Sequence, residues 1–249
     1  MTWPLAAEDA KSETVIDTQG EYPADDAEFA GLYGYNLTYT HAGFLNDSNR
    51  YYLISSEMKG QERIYIADVE SKQVKMLRLA DSDKTSRVGN YTLLRKFKDL
   101  VLLKYSELNV APQIHAVRFQ NTATAQNLDE LLAKENLNFS LIEKLDLEAD
   151  KSEFGEFFSE GVKSYKQDFI KLENGAEAYF QRRGDLDPEK KHPMIVLIHG
   201  GPFSSAPHSA FLIMRNFLLL QGYTLLVLNY RGSIGFGENT MNTLLGTIG

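Results

Sequence analysis

The chain has 249 residues, 43% of them hydrophobic and 24% charged, with a formal net charge of −8. These proportions belong to a globular protein with room for a sizeable core, and the acidic balance argues against a nucleic-acid partner. The sequence holds no cysteine, which excludes disulfides, thiolate metal ligands and cysteine nucleophiles and fits a cytoplasmic protein.

The first ten residues include Glu8 and Asp9 and no apolar stretch, so they do not read as a signal peptide. Residues 12–27 are rich in Asp, Glu, Gly and Pro and read as a loop. Asn-x-Ser/Thr triplets begin at Asn36, Asn46, Asn90 and Asn138. Without a secretory signal they are taken as chance. From about residue 44 to 119 the chain reads as short strands separated by turn signals. The predicted strands cover residues 51–55, 63–69, 74–79, 91–97, 100–105 and 113–119, with a polar turn at 70–73. Short strands at regular spacing predict an all-β meander, sandwich or propeller.

Residues 128–137 have helical spacing, and 137–147 read as an extended crossing segment. Residues 150–160 are charged and aromatic with no clean period, and a domain boundary is placed there. A predicted hairpin follows, with strands at 165–171 and 176–181 around the turn Glu173-Asn174-Gly175. Residues 183–192 form a charged loop. Residues 194–198 are a continuous apolar run, expected of a strand buried on both faces. Residues 209–221 have helical spacing and end at Gly222, a C-terminal cap. Residues 224–228 are a second apolar run. Strand, helix and strand at this spacing predict a βαβ unit in a mostly parallel sheet. The apolar runs fall far short of the roughly 20 residues needed to cross a bilayer, so no membrane span is expected.

The chemistry is concentrated in two stretches. His199-Gly200-Gly201-Pro202 directly follows the apolar run at 194–198. Glycines there let the backbone turn sharply and approach a ligand closely. In α/β-hydrolases an HGG-type loop after such a strand supplies a backbone N–H of the oxyanion hole. The competing reading is a tight turn that merely uses two glycines. The second stretch, Asn229-Tyr230-Arg231-Gly232-Ser233-Ile234-Gly235-Phe236-Gly237, directly follows the apolar run at 224–228. No G-x-S-x-G segment occurs in the chain. Ser233 is the nearest miss, with Arg231 where the first glycine would stand, and it is read as a loop residue. His41, His115, His192 and His208 have no paired acid at a telling spacing. Ser204, Ser205 and Ser209 read as loop and cap residues. No metal-ligand spacing is present.

Taken together, HGGP, a helix ending Gly-Tyr, an apolar strand and NYRGSxGFG resemble the opening of the catalytic domain in the prolyl-oligopeptidase superfamily of serine peptidases, and in particular the acylaminoacyl-peptidases. Upstream, residues 29–33, 44–50, 61–69, 91–94 and 110–113 resemble the later propeller blades of those enzymes. The resemblance implies a partial β-propeller of C-terminal blades followed by the start of an α/β-hydrolase domain. The division falls at residues 1–155 and 156–249. It implies a peptidase that acts without metal or organic cofactor and releases an N-acylamino acid from short N-acylated peptides. It gives the oxyanion role to Gly201, with Gly200 as the alternative, and makes His199, Tyr230 and Arg231 supports of that loop. The family order places Ser, Asp and His after these motifs. The triad is therefore expected beyond Gly249, and the chain alone is expected to be inactive. The full-length parent is expected to be a homo-oligomer with no nucleic-acid or membrane partner. The rival readings are a non-catalytic propeller-type binding or regulatory module, and a dipeptidyl- or oligopeptidase of the same superfamily.

Overall fold

The computed structural model describes residues 14, 16–17, 29, 31–33, 43–46, 49–78, 89–173, 176–187, 189–201, 203–207 and 210–246. Pro202, His41, His208, Ser209 and the turn residues Asn174 and Gly175 lie outside them. So does Gly249, and the expectation that the triad lies beyond it concerns polypeptide the structure does not contain.

Two four-stranded antiparallel sheets form first. Strands β1 (Gly43–Phe44), β2 (Tyr51–Met58), β3 (Gln61–Asp68) and β4 (Gln73–Met76) pair in sequence order, as do β5 (Asn90–Phe97), β6 (Leu100–Glu107), β7 (Val110–Phe119) and β8 (Leu137–Lys144). Sequential pairing follows from the short turns. Lys59 and Gly60 both take positive φ, at 49° and 66°, between β2 and β3, the backbone demanded by a two-residue hairpin with a right-handed twist. The period-2 alternation then decides the core. Tyr51, Leu53, Ile64 and Ile66 project from the first sheet, and Tyr91, Leu93, Val101, Leu103, Val117 and Phe119 from the second, into one buried cluster. Each fully buried side chain of this size contributes about 1.5–3 kcal/mol. Helix α1 (Leu128–Leu131), capped by the Asn127 side chain, adds Leu128 and Leu131 to that cluster.

The first sheet also buries its other face. Ile54, Met58, Tyr65 and Met76 pack with Phe29, Tyr33 and Ile234. Ile234 belongs to the NYRGSxGFG stretch, so this face packs that stretch onto the meander.

Residues 150–160, which show no period in the sequence, are largely helical. Helix α2 (Glu153–Ser164) starts where the Ser152 hydroxyl accepts the Gly155 N–H at 3.1 Å. Its two glycines blur the apolar pattern. Gly161 has a physical role, since a Cβ there would lie 2.4 Å from Leu220 Cδ1. The glycine lets α2 approach α3 (Ile213–Leu220), and both pack with Val162, Leu219 and Leu225 in a third cluster. After α3, Gly222 takes φ +86° and donates to Leu219 O at 3.0 Å, the left-handed helix ending expected from its position.

The third sheet has the order β11-β12-β10-β9, with β9 (Lys166–Lys171), β10 (Glu177–Arg182), β11 (Met194–Ile198) and β12 (Thr224–Asn229). The β11–β12 pairing around α3 is parallel, as the βαβ reading requires. The sheet as a whole is not mostly parallel, because β10 pairs antiparallel with both β9 and β12. The expectation that β11 is buried on both faces also fails. It is an edge strand, and Met194, Val196 and Ile198 are 53%, 46% and 66% exposed. Among the described residues no further strand pairs with its outer edge. Residues 137–147 are likewise corrected, because β8 is an ordinary fourth strand paired with β7.

One packing test belongs to the meander core. The buried Tyr51 hydroxyl donates to Ala125 O at 2.8 Å and ties the α1 segment to β2. Tyr51→Phe keeps the ring but leaves that carbonyl without its donor, so a loss of about 1–2 kcal/mol is expected in denaturant unfolding.

Candidate functional site

Strands β11 and β12 lie side by side and parallel, so the loops after them leave the sheet at the same end. This register alone brings His199–Gly201 next to Tyr230–Gly237. Side chains then lock the two loops together. The His199 and Tyr230 rings stack with centroids 4.4 Å apart and planes 14° apart. The Tyr230 hydroxyl donates to His199 O at 3.1 Å. His199 Nδ1 lies 2.6 Å from Gly200 O, and His199 Nε2 lies 2.8 Å from Ser233 Oγ.

These contacts fix the donors. A carbonyl oxygen only accepts, so Nδ1 carries the hydrogen bonded to Gly200 O. In the neutral ring Nε2 then accepts from the Ser233 hydroxyl. A serine 2.8 Å from an imidazole has the spacing of a nucleophile and its base. Two observations oppose that use. Ser233 is 0% exposed, so no substrate carbonyl reaches its Oγ. The far nitrogen of His199 faces a backbone carbonyl, where a triad would place a carboxylate. Ser233 and His199 form a brace that holds the first loop against the second.

Gly200 and Gly201 are exposed at the tip of this braced turn. Among the described residues neither N–H has a hydrogen-bond partner, so both remain available as donors. They differ in their surroundings. A Cβ at Gly200 would meet nothing within 4 Å, whereas one at Gly201 would lie 3.2 Å from the Tyr230 hydroxyl oxygen. Of the two, Gly201 is the more tightly packed. Arg231 is exposed and has no partner among the described residues, while Tyr230 is half-buried against His199.

Sequence reading missed three supports. Asn229, buried at the end of β12, accepts the Ala206 N–H at 2.7 Å and donates to Ala206 O at 3.2 Å. Ile234 N–H donates to Ser204 O at 3.1 Å. Glu57, from the end of β2, accepts the Ser205 hydroxyl. A polar Asn closing an apolar strand signalled the first. Glu57 and Ser205 stand 148 positions apart, and no local pattern connects them.

Among the described residues no cluster of His, Cys, Asp or Glu could hold a metal ion, and no helix is long and apolar enough to cross a membrane. His115 is half-buried and contacts Gln113 at 3.0 Å, and burial pushes its imidazole down. His192 Nε2 lies 2.7 Å from Asp187 O.

No family model matches the chain. Acylamino-acid-releasing enzyme 1 of Oryza sativa subsp. japonica is 53% identical over 57 residues, which are 23% of this chain and 7% of that protein. Acylamino-acid-releasing enzyme of Mus musculus is 24% identical over 208 residues, 82% of this chain and 25% of that protein. A solved structure from a study of two prolyl endopeptidases superposes with a TM-score of 0.58 at 16% identity, over 89% of this chain and 27% of that one. The chain thus spans about a quarter or less of the proteins it matches. The chain is similar in sequence, over part of its length, to acylamino-acid-releasing enzymes, and similar in fold to a prolyl endopeptidase.

Proposed function

We propose that these residues are part of a serine peptidase that removes an N-acylated residue from the start of a short peptide. In this reading the His199–Gly201 turn supplies an oxyanion-hole N–H, from Gly201 first and Gly200 otherwise. The observation that carries it is a pair of exposed N–H groups, unpartnered among the described residues, at the end of a parallel strand and on a turn braced by Tyr230 and Ser233. Such donors, fixed before the reaction, stabilise the negative oxygen of a tetrahedral intermediate. The likeness to acylamino-acid-releasing enzymes supplies the substrate class.

Two consecutive four-stranded meanders support the reading of residues 1–155 as propeller blades. The parallel β11–β12 pair around α3 supports residues 156–249 as the opening of an α/β-hydrolase domain. No G-x-S-x-G occurs up to Gly249, so the nucleophile elbow, its acid and its base would come from further polypeptide. The uncovered apolar side of β11 is in keeping with that arrangement.

The test has two arms. The 249-residue polypeptide is treated with a fluorophosphonate probe and is expected to stay unlabelled. The native protein that carries these residues, recovered from its source, is treated in the same way. It is expected to label and to release the N-acetylamino acid from an acetylated peptide, but to spare its free-amine twin. Labelling of the short polypeptide at Ser233 would overturn the assignment of that residue as a brace. Cleavage of the free-amine twin in dipeptide steps, or only after proline, would transfer the protein to another peptidase type of the superfamily. A native protein that neither labels nor cleaves would be a binding module.

A further inference from the structure

The end of the β2–β3 hairpin touches both loops of the site. Lys59 N–H donates to Gly235 O at 2.9 Å, and Gly235 packs so closely that a Cβ there would lie 2.7 Å from Glu57 O. Met58 meets Ile234 in the cluster beneath. On the other side the Ser205 hydroxyl donates to the Glu57 carboxylate. The hairpin is therefore wedged between the loop that follows the HGG turn and the loop that braces it.

Glu57 is an awkward residue for this position. It stands directly opposite Glu62 across the β2–β3 ladder, and like charges in such a pair repel. The two carboxyls are not equally supported. Burial pushes Glu62 above the usual carboxylate range as well, but there Thr92 Oγ1, which donates at 2.8 Å, Lys104 and Ser55 all oppose the rise. Among the described residues only Ser205 opposes the effect of burial on Glu57, and the charge on Glu62 adds to that effect. Tyr33 and Lys59 are further described neighbours. Tyr33 packs behind through its carbonyl, which accepts Glu57 N–H at 3.0 Å. Its phenol is pushed up to about 12 by burial and by Glu238 of helix α4 (Glu238–Asn242). Lys59 contributes its backbone to Gly235.

We propose that Glu57 is a proton-linked latch that docks the β2–β3 hairpin onto the two loops holding the HGG turn, most firmly when its carboxyl is protonated. Burial pushes this carboxyl above the usual range, with the Ser205 bond opposing the rise and Glu62 adding to it. An acid whose docked value is raised binds its proton more tightly when docked. Docking is therefore strongest at acid pH and weakens as pH climbs from the ordinary carboxylate value to the raised one. Above that range it stays level. The role of Glu57 is one of positioning. Its bearing on hydrolysis rests on the oxyanion reading above, but the docking itself does not.

Hydrogen exchange on the 249-residue polypeptide tests the latch. The Lys59 and Ile234 amides report docking, and Val227, inside the β12 ladder, serves as the control. After correction for intrinsic rates, protection of Lys59 and Ile234 is expected to fall with rising pH by up to about tenfold per unit within the titration range, while Val227 does not follow. Glu57→Gln keeps an acceptor for Ser205 and is neutral throughout, so its protection should hold at the acid level without a slope. Glu57→Ala should be level and low. The same slope in Glu57→Gln as in the parent overturns the proposal. So does a slope that vanishes only in Glu62→Gln, which would assign the proton to the other carboxyl. A flat profile in the parent also overturns it, and leaves the peptidase reading, tested by labelling and cleavage, untouched.

Discussion

Gly235→Val is expected to release the β2–β3 hairpin from the site loops and to lower stability by about 3 kcal/mol or more. Two penalties combine. Gly235 holds φ +82°, where a β-branched residue is a genuine outlier. The new Cβ would also start 2.7 Å from Glu57 O and 3.1 Å from Lys59 N. Those are backbone atoms of a paired hairpin and cannot swing aside as a flexible side chain could. The loop must lift, which breaks the Lys59–Gly235 hydrogen bond and exposes Ile234, 3% exposed in the docked state. Gly222→Val provides the matched control. Gly222 has φ +86°, and a Cβ there would meet nothing within 4 Å, so only the backbone penalty of about 1–2 kcal/mol applies. Denaturant unfolding of both variants, with proteolysis at the hairpin tip as a second readout, measures the difference. Equal losses would mean that the hairpin does not bear on the loop in solution.

The elements legible in the sequence are those whose physics is local. Alternation across Tyr51–Leu53, Ile64–Ile66 and Val101–Leu103 marks the faces that meet in the meander core. Apolar runs at β11 and β12 with a helical stretch between them mark the parallel pair, and Gly222 marks the helix end. Helix α2 is hidden because Gly155 and Gly161 interrupt its apolar stripe. Each is present for a close approach, to Asp150 and to Leu220, that only the folded chain creates. The exposure of β11 is hidden for a related reason, since five apolar residues predict cover and say nothing of what supplies it. Within the site, the HGG turn and Tyr230 can be placed from spacing. The His199–Ser233 contact cannot, because it depends on the parallel register of two strands rather than on any motif. The same holds for Glu57, whose partner lies on the far side of two sheets in sequence.

Gly201→Pro, made in the native protein that carries these residues, is expected to reduce kcat by about 10²–10³-fold if the Gly201 N–H binds the oxyanion. Proline removes that one donor but carries the same Cβ that crowds the Tyr230 hydroxyl, so the loss of the N–H is read against Gly201→Ala. The donor acts on charge that develops in the transition state, so KM should change far less than kcat. Gly200→Pro separates the two candidate amides, because only the glycine whose N–H faces the substrate oxygen should show the large loss. Gly200→Ala supplies the background. It keeps the N–H, and its methyl meets nothing within 4 Å, so activity should stay within about threefold of the parent. Gly201→Ala also keeps the N–H but presses its methyl to 3.2 Å from the Tyr230 hydroxyl. A modest loss is expected there, and Tyr230→Phe in the same background should relieve it by removing the crowded oxygen. If both proline variants retain kcat within about threefold while unfolding normally, the turn is only a turn, and the oxyanion donors must be sought elsewhere.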